Sequence, residues 1–124
     1  MVACVDGHLR SSKVLEQSVR MAQTLQTKLR IVHVGPPSAA SGRHSPTQFH
    51  GRDVLRNAML RVHELDPDLS VTEELLSGHP AATALVDAGT DAELLVLGAH
   101  GREGHPGTLA NVLTHARCNV MIAR

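Results

Sequence analysis

Five short apolar runs alternate with four amphipathic segments along the chain, and this alternation limits the possible folds more than any other feature. The apolar runs predict strands at residues 2–5, 29–34, 69–75, 93–97 and 120–123. Apolar side chains at helical spacing predict helices over residues 12–26, 47–64, 81–88 and 109–116. Strands that alternate with helices indicate an α/β fold: a mainly parallel sheet with helices on both faces.

Composition limits the chain further. Its 124 residues fit one compact domain over residues 1–124, and 42% of them are apolar. Phe49 is the single aromatic residue, so the core is aliphatic and aromatic stacking platforms for single-stranded nucleic acid are excluded. No apolar run approaches the roughly 18 residues of a membrane span, so no membrane insertion is expected. Two cysteines, Cys4 and Cys118, make no disulfide framework and favour a reducing, cytoplasmic location.

Charge is unevenly distributed although the formal net charge is zero. Residues 1–62 hold nine Lys/Arg and three Asp/Glu, whereas residues 63–124 hold three and nine. Arg52, Arg56 and Arg61 could form a basic helical face for nucleic acid. The missing aromatics and the neutral total favour a solvated helix face instead, and no nucleic-acid partner is predicted.

Candidate chemistry follows the predicted strands. Asp6 comes directly after the first strand, where a carboxylate can accept a hydrogen bond from a hydroxyl or an exocyclic amine, although a plain turn residue also fits. The backbone of Val34 ends the second strand at the same edge of the sheet. In a doubly wound sheet, a ligand lies beyond the carboxyl ends of the strands, where the strand order reverses.

A glycine-rich segment, residues 98–108, joins the fourth strand to the last helix. Its glycines would let backbone N–H groups approach phosphates, and the helix start adds a favourable partial charge. Thr108 could cap the helix or bind a phosphate oxygen. The segment is neither a Walker A loop nor the dinucleotide fingerprint, and a tight turn without a ligand also fits.

A zinc site is the competing interpretation of the histidines near the C-terminus. His100, His105, His115 and Cys118 are residue types that zinc prefers, but their spacing matches no common zinc pattern. We therefore predict no metal. Cys4 and Cys118 fit better as small buried apolar residues than as nucleophiles.

Five motifs together resemble the universal stress protein family over essentially the full chain. They are Val2-Ala-Cys-Val-Asp-Gly-His-Leu-Arg-Ser11, His33-Val34, Gly78-His-Pro-Ala81, Leu95-Val-Leu-Gly-Ala-His-Gly-Arg102 and His115-Ala-Arg-Cys-Asn-Val120. The resemblance implies a Rossmann-like fold, similar to the adenine nucleotide alpha hydrolases, with an open five-stranded parallel sheet in the order 3-2-1-4-5. It also implies a stress-response role and a homodimer formed through the last strand, residues 120–123.

Some members of that family bind ATP or another adenine nucleotide, and the resemblance implies where this chain would do so. Asp6 and Val34 would hold the adenosine part. Gly98 and Gly101 would approach the ribose and phosphates, with His100 in the same loop. Gly107 and Thr108 would hold the distal phosphates.

The chain departs from the family pattern in the glycine loop. Five residues separate Gly101 from Gly107 where the nucleotide-binding pattern has nine, and His8 replaces a small serine. The expected ligand is therefore ATP or a smaller nucleotide such as AMP. The alternative is a dimeric interaction module without a nucleotide. No catalytic residues are assigned, and we predict a sensor or switch rather than an enzyme.

Overall fold

The computed structural model describes residues 1–6, 11–35, 46–77, 81–98 and 106–123. Strands and helices alternate over these residues. In chain order they are β1 (Val2–Cys4), α1 (Ser11–Leu25), β2 (Leu29–Gly35), α2 (Pro46–Leu65), β3 (Val71–Ser77), α3 (Ala81–Ala88), β4 (Leu94–Gly98), α4 (Pro106–His115) and β5 (Asn119–Ala123).

The strands form one parallel sheet in the order β3-β2-β1-β4-β5. The predicted fold class and strand order are therefore confirmed. β1 is only three residues long, yet it lies at the centre and is buried, so its apolar run has no polar alternation. The strand order reverses between β1 and β4.

Helices cover the two faces of the sheet unequally. On one face, here called the α1/α2 face, the long helices α1 and α2 pack their apolar side chains onto the sheet around Ile31 and Val96. On the other, the α3/α4 face, two shorter helices pack around Val32 and Leu95. Alternation along the strands sends neighbouring side chains to opposite faces.

Helix ends follow from local chemistry. Pro46 and Pro106 each open a helix, at a position where the missing backbone N–H costs nothing. At the end of α1, Thr27 N–H donates to the Ala22 carbonyl and Gln26 N–H to the Gln23 carbonyl, at 3.1 and 3.3 Å. This pair is a Schellman cap, and it places Gln26 at φ 53°, a conformation that usually belongs to glycine.

Several element boundaries differ from the sequence prediction by one to three residues, and the starts of β3 and α4 are the most informative. β3 begins at Val71, because Leu69 lies in a turn in which its N–H donates to the Asp66 carbonyl at 3.3 Å. Leu69 still packs against the α1/α2 face, so its apolar character reflects burial and not a strand. α4 begins at Pro106, so Gly107 and Thr108 belong to its first turn and not to the preceding loop.

A buried polar side chain on α1 interrupts the apolar packing of the α1/α2 face. Ser18 on α1 is fully buried, and its hydroxyl has no hydrogen-bond partner among the described residues. An unpartnered hydroxyl in an apolar layer reduces stability.

Across the described ranges, no helix is long and apolar enough to cross a membrane.

Candidate functional site

The carboxyl ends of β1, β2 and β4 bring three of the predicted site residues to one place. The last residue pair between β1 and β4 is Ala3 with Val96, and Gly98 lies two residues further along β4. The last pair between β1 and β2 is Cys4 with Val32, and Asp6 and Val34 each lie two residues further along the chain. The chain leaves β1 toward α1 on one face and leaves β4 toward α4 on the other. The two segments therefore diverge where the strand order reverses, which is where a doubly wound sheet has its ligand crevice.

The Cys4 thiol lies beside Asp6 on the α3/α4 face. Cys4 and Val34 both pack against the apolar cluster of that face. Burial, assisted by the negative charge of Asp6, raises the pKa of Cys4 from 9.0 to about 12. Because the thiolate is the nucleophilic form, Cys4 is a poor nucleophile at neutral pH. Burial also raises the pKa of Cys118.

His33 is a buried polar side chain close to the crevice, 9% exposed. Its Nδ1 lies 2.7 Å from the Val5 carbonyl oxygen. A carbonyl has no proton to give, so Nδ1 is the donor and the imidazole is tied to the residue before Asp6. This contact is absent from the sequence-based site, in which His33 served only as part of a motif. A histidine between two valines in a predicted buried strand was the available signal.

Gly51 on α2 makes room for this imidazole. A Cβ at residue 51 would lie 3.3 Å from His33 Cδ2 and 2.8 Å from Leu75 Cδ1. The second distance is closer than real Cβ atoms approach, so a side chain at residue 51 would require the Leu75 side chain to move. The glycine therefore lets α2 rest directly on His33.

The remaining predicted site residues divide into two groups. Gly107 and Thr108 lie in the first turn of α4, which follows β4 and so begins on the carboxyl side of the sheet. Backbone N–H groups in the first turn of a helix have no helical partner and attract anions. His100 and Gly101, with most of the shortened glycine loop, lie outside the described residues.

The competing interpretations receive no support from the described residues. His115 Nδ1 lies 3.0 Å from the Asn111 carbonyl one turn earlier, and no group of three His, Cys, Asp or Glu in the described ranges could hold a metal. Arg61 pairs with Glu16 and Glu64 at 3.2 and 3.3 Å, so it does not extend a basic face with Arg52 and Arg56.

A groove of about 440 Å³ lies between α3 and α4. It is lined by Ala82, Thr83, Val86, Asn111, His115 and Arg117. The groove contains none of the predicted site residues. We therefore place the candidate site at the crevice, where backbone and carboxylate groups converge, and not in this groove.

A doubly wound parallel sheet with a crevice at the reversal of strand order defines a Rossmann-like α/β protein. The chain belongs to the universal stress protein family, whose family model matches residues 1–124. The resemblance inferred from the five motifs is thereby confirmed. No curated protein sequence matches the chain significantly.

Solved structures of universal stress proteins share the fold. A universal stress protein in complex with cAMP is 24% identical, with a TM-score of 0.81 over 99% of this chain and 94% of that one. A universal stress protein from Archaeoglobus fulgidus in complex with dAMP is 20% identical, with a TM-score of 0.78 over 99% and 95%. A family protein from Arabidopsis thaliana with AMP bound is 19% identical, with a TM-score of 0.61 over 98% and 89%.

Proposed function

We propose that this chain binds an adenine nucleotide at the crevice between β1 and β4 and acts as a sensor or switch in the stress response. The observation that carries the proposal is that Asp6, Val34 and Gly98 lie at or just beyond the carboxyl ends of β1, β2 and β4, next to the reversal of strand order. Three structurally similar proteins hold cAMP, dAMP and AMP, so the fold is able to accept this class of ligand.

Each residue has a distinct proposed role. The Asp6 carboxylate accepts hydrogen bonds from adenosine, and the backbone of Val34 contacts the base. The backbone at Gly98 and Gly101 approaches the ribose and phosphate, with His100 beside them. Gly107 and Thr108 offer first-turn N–H groups to the phosphate. The glycine segment is four residues shorter than the family's nucleotide-binding pattern, which favours a monophosphate such as AMP over ATP.

We propose binding without catalytic turnover. The nearest thiol, Cys4, is held protonated by burial, because its pKa is about 12. A carboxylate and backbone amides recognise a ligand, but they do not provide the paired acid and base that hydrolysis requires.

The two cysteines are free, which agrees with the proposed cytoplasmic location.

Thermal-shift titration with AMP, ATP and cAMP tests the proposal. A ligand at 100 times its Kd adds about 2.7 kcal/mol to stability, which raises the Tm measurably. We expect AMP to give the largest shift and Asp6→Ala to lose it.

The matched control is Asp91→Ala, which removes an exposed aspartate from the opposite edge of the sheet, before β4. This variant is expected to keep the full shift. The absence of a shift with all three nucleotides at millimolar concentration would contradict the proposal.

The second candidate function is a dimeric interaction module, and the edge strand β5 favours it. Val120, Met121 and Ile122 are only partly buried, and β5 pairs with β4 on one side alone. An exposed strand edge is a ready site for pairing with another chain. We propose a homodimer through β5. Sedimentation equilibrium tests it: a mass of one chain, 13.2 kDa, would contradict it.

A further inference from the structure

The pairing between β1 and β2 ends abruptly next to the crevice. Even-numbered residues of β2 direct their backbone groups toward β1, as the bond from Arg30 N–H to the Met1 carbonyl shows, and odd-numbered ones face β3. The last backbone bond between the two strands runs from Val5 N–H to the Val32 carbonyl, at 3.0 Å. In a regular parallel ladder the next bond would join Val34 N–H to the Val5 carbonyl.

His33 takes the position of that next bond. The Val5 carbonyl accepts from His33 Nδ1 at 2.7 Å. Within the described part of the chain, Val34 N–H makes no backbone hydrogen bond to Val5. The ladder thus ends one step early, at the residue whose carbonyl contacts the imidazole, and Val34 N–H has no β1 backbone partner among the described residues.

Packing holds the imidazole in this position. His33 is buried, and α2 lies against it at Gly51, where a Cβ would come within 3.3 Å of the ring. The ring therefore has little room to turn away from Val5.

We infer that His33 is a positioning residue for the candidate site: it keeps the Val34 N–H out of the β-ladder and so available to a ligand. The inference rests on the proposed nucleotide site for its ligand, but the ladder itself can be tested without one. His33 touches no ligand in this scheme. It acts through Val5, and therefore through the backbone that presents Asp6 and Val34.

Amide hydrogen exchange in the ligand-free protein gives the first test. Replacing His33 by leucine removes the competing donor, so Val34 N–H bonds to Val5 and its exchange slows at least about tenfold relative to Val32. His33→Asn retains an N–H donor near the Nδ1 position and exchanges as the unchanged protein does. The control His63→Leu, at an exposed position on α2, has no effect.

Nitrogen chemical shifts of the unchanged protein provide a test that requires no variant. A proton on Nδ1 of His33 is expected. An unprotonated Nδ1, or a Val34 exchange rate that is equal in His33→Leu and the unchanged protein, would overturn the inference. The Nδ1 measurement remains decisive even where His33→Leu does not fold.

Titration with AMP gives the second test. His33→Leu is expected to weaken AMP binding about tenfold or more, whereas His33→Asn stays within about threefold. Equal affinities in the three proteins would overturn the positioning role. An unchanged protein that binds no AMP, but whose Val34 exchange responds to His33→Leu, would refute the nucleotide proposal and leave the ladder assignment standing.

Discussion

The two faces of the sheet are built differently. Among the described residues, sixteen buried apolar side chains cluster on the α1/α2 face and seven on the α3/α4 face. The helices on the first face have 15 and 20 residues, and those on the second have 8 and 10. Cys4 and Val34 are only partly buried on the thinner face, next to the crevice. More of the buried apolar core among the described residues thus lies on the α1/α2 face than on the α3/α4 face.

The largest expected effect is on the reactivity of Cys4, and it tests whether the α3/α4 face keeps water from the sheet. At pH 8, a thiol with a pKa of about 12 holds about 1000-fold less thiolate than one at 9.0. We therefore expect iodoacetamide to alkylate Cys4 about 1000-fold more slowly in the folded protein than in urea, as followed by mass spectrometry. Equal rates in the two states would show that solvent reaches the sheet through the α3/α4 face.

The same pKa predicts a loss of stability in alkali. The folded protein holds the Cys4 proton more tightly than the unfolded chain does, so this contribution is complete below pH 9 and is lost as pH rises toward about 12. In Cys4→Ala the free energy of unfolding should fall less between pH 9 and about 12 than in the unchanged protein. Cys118→Ala should alter this fall less than Cys4→Ala does.

A matched pair of leucines compares the two faces directly. Leu15 on α1 and Leu85 on α3 are 4% and 3% exposed. Leu15→Ala is expected to cost about 4 kcal/mol and Leu85→Ala about 3 kcal/mol, since the thinner layer can collapse into the space that is left. Urea denaturation measures both. A larger loss from Leu85→Ala would reverse the assignment of stability to the α1/α2 face.

The smallest expected effect concerns Ser18, the buried hydroxyl on the α1/α2 face. Ser18→Ala removes a buried hydroxyl without a partner, so we expect stability to rise by about 1 kcal/mol. Ser70→Ala, at an exposed position, serves as the control and should remain within about 0.5 kcal/mol of the unchanged protein. A loss of stability in Ser18→Ala would mean that the hydroxyl has a bound water as its partner.

Much of the fold could be predicted from the sequence, because apolar periodicity reports burial directly. The alternation of strands and helices followed from it, whereas the strand order came from the family motifs alone. Boundaries were less certain: Leu69 was included in β3 because a buried turn residue has the same apolar character. Pro106 fits a loop and the first turn of a helix equally well, so the start of α4 at Pro106 was missed.

The candidate site was only partly predictable. Asp6 and Val34 were found because each ends a strand at the carboxyl edge. The bond from His33 to Val5 was missed because it joins residues 28 positions apart through a side chain and a backbone carbonyl. The close approach of α2 to His33 at Gly51 likewise depends on the packing of α2 against β2. Neither leaves a periodic or spacing signal in the chain.

The central position of β1 has a consequence for the order of folding. Val2 pairs with Leu95 on one side and with Arg30 on the other, so the first strand of the chain is completed by one of the last. Contacts so distant in sequence close slowly and favour a late, cooperative assembly. During synthesis, β1, β2 and the α1/α2 layer can form early, but the crevice appears only when β4 docks. The candidate site therefore forms late in folding, when β4 joins the sheet.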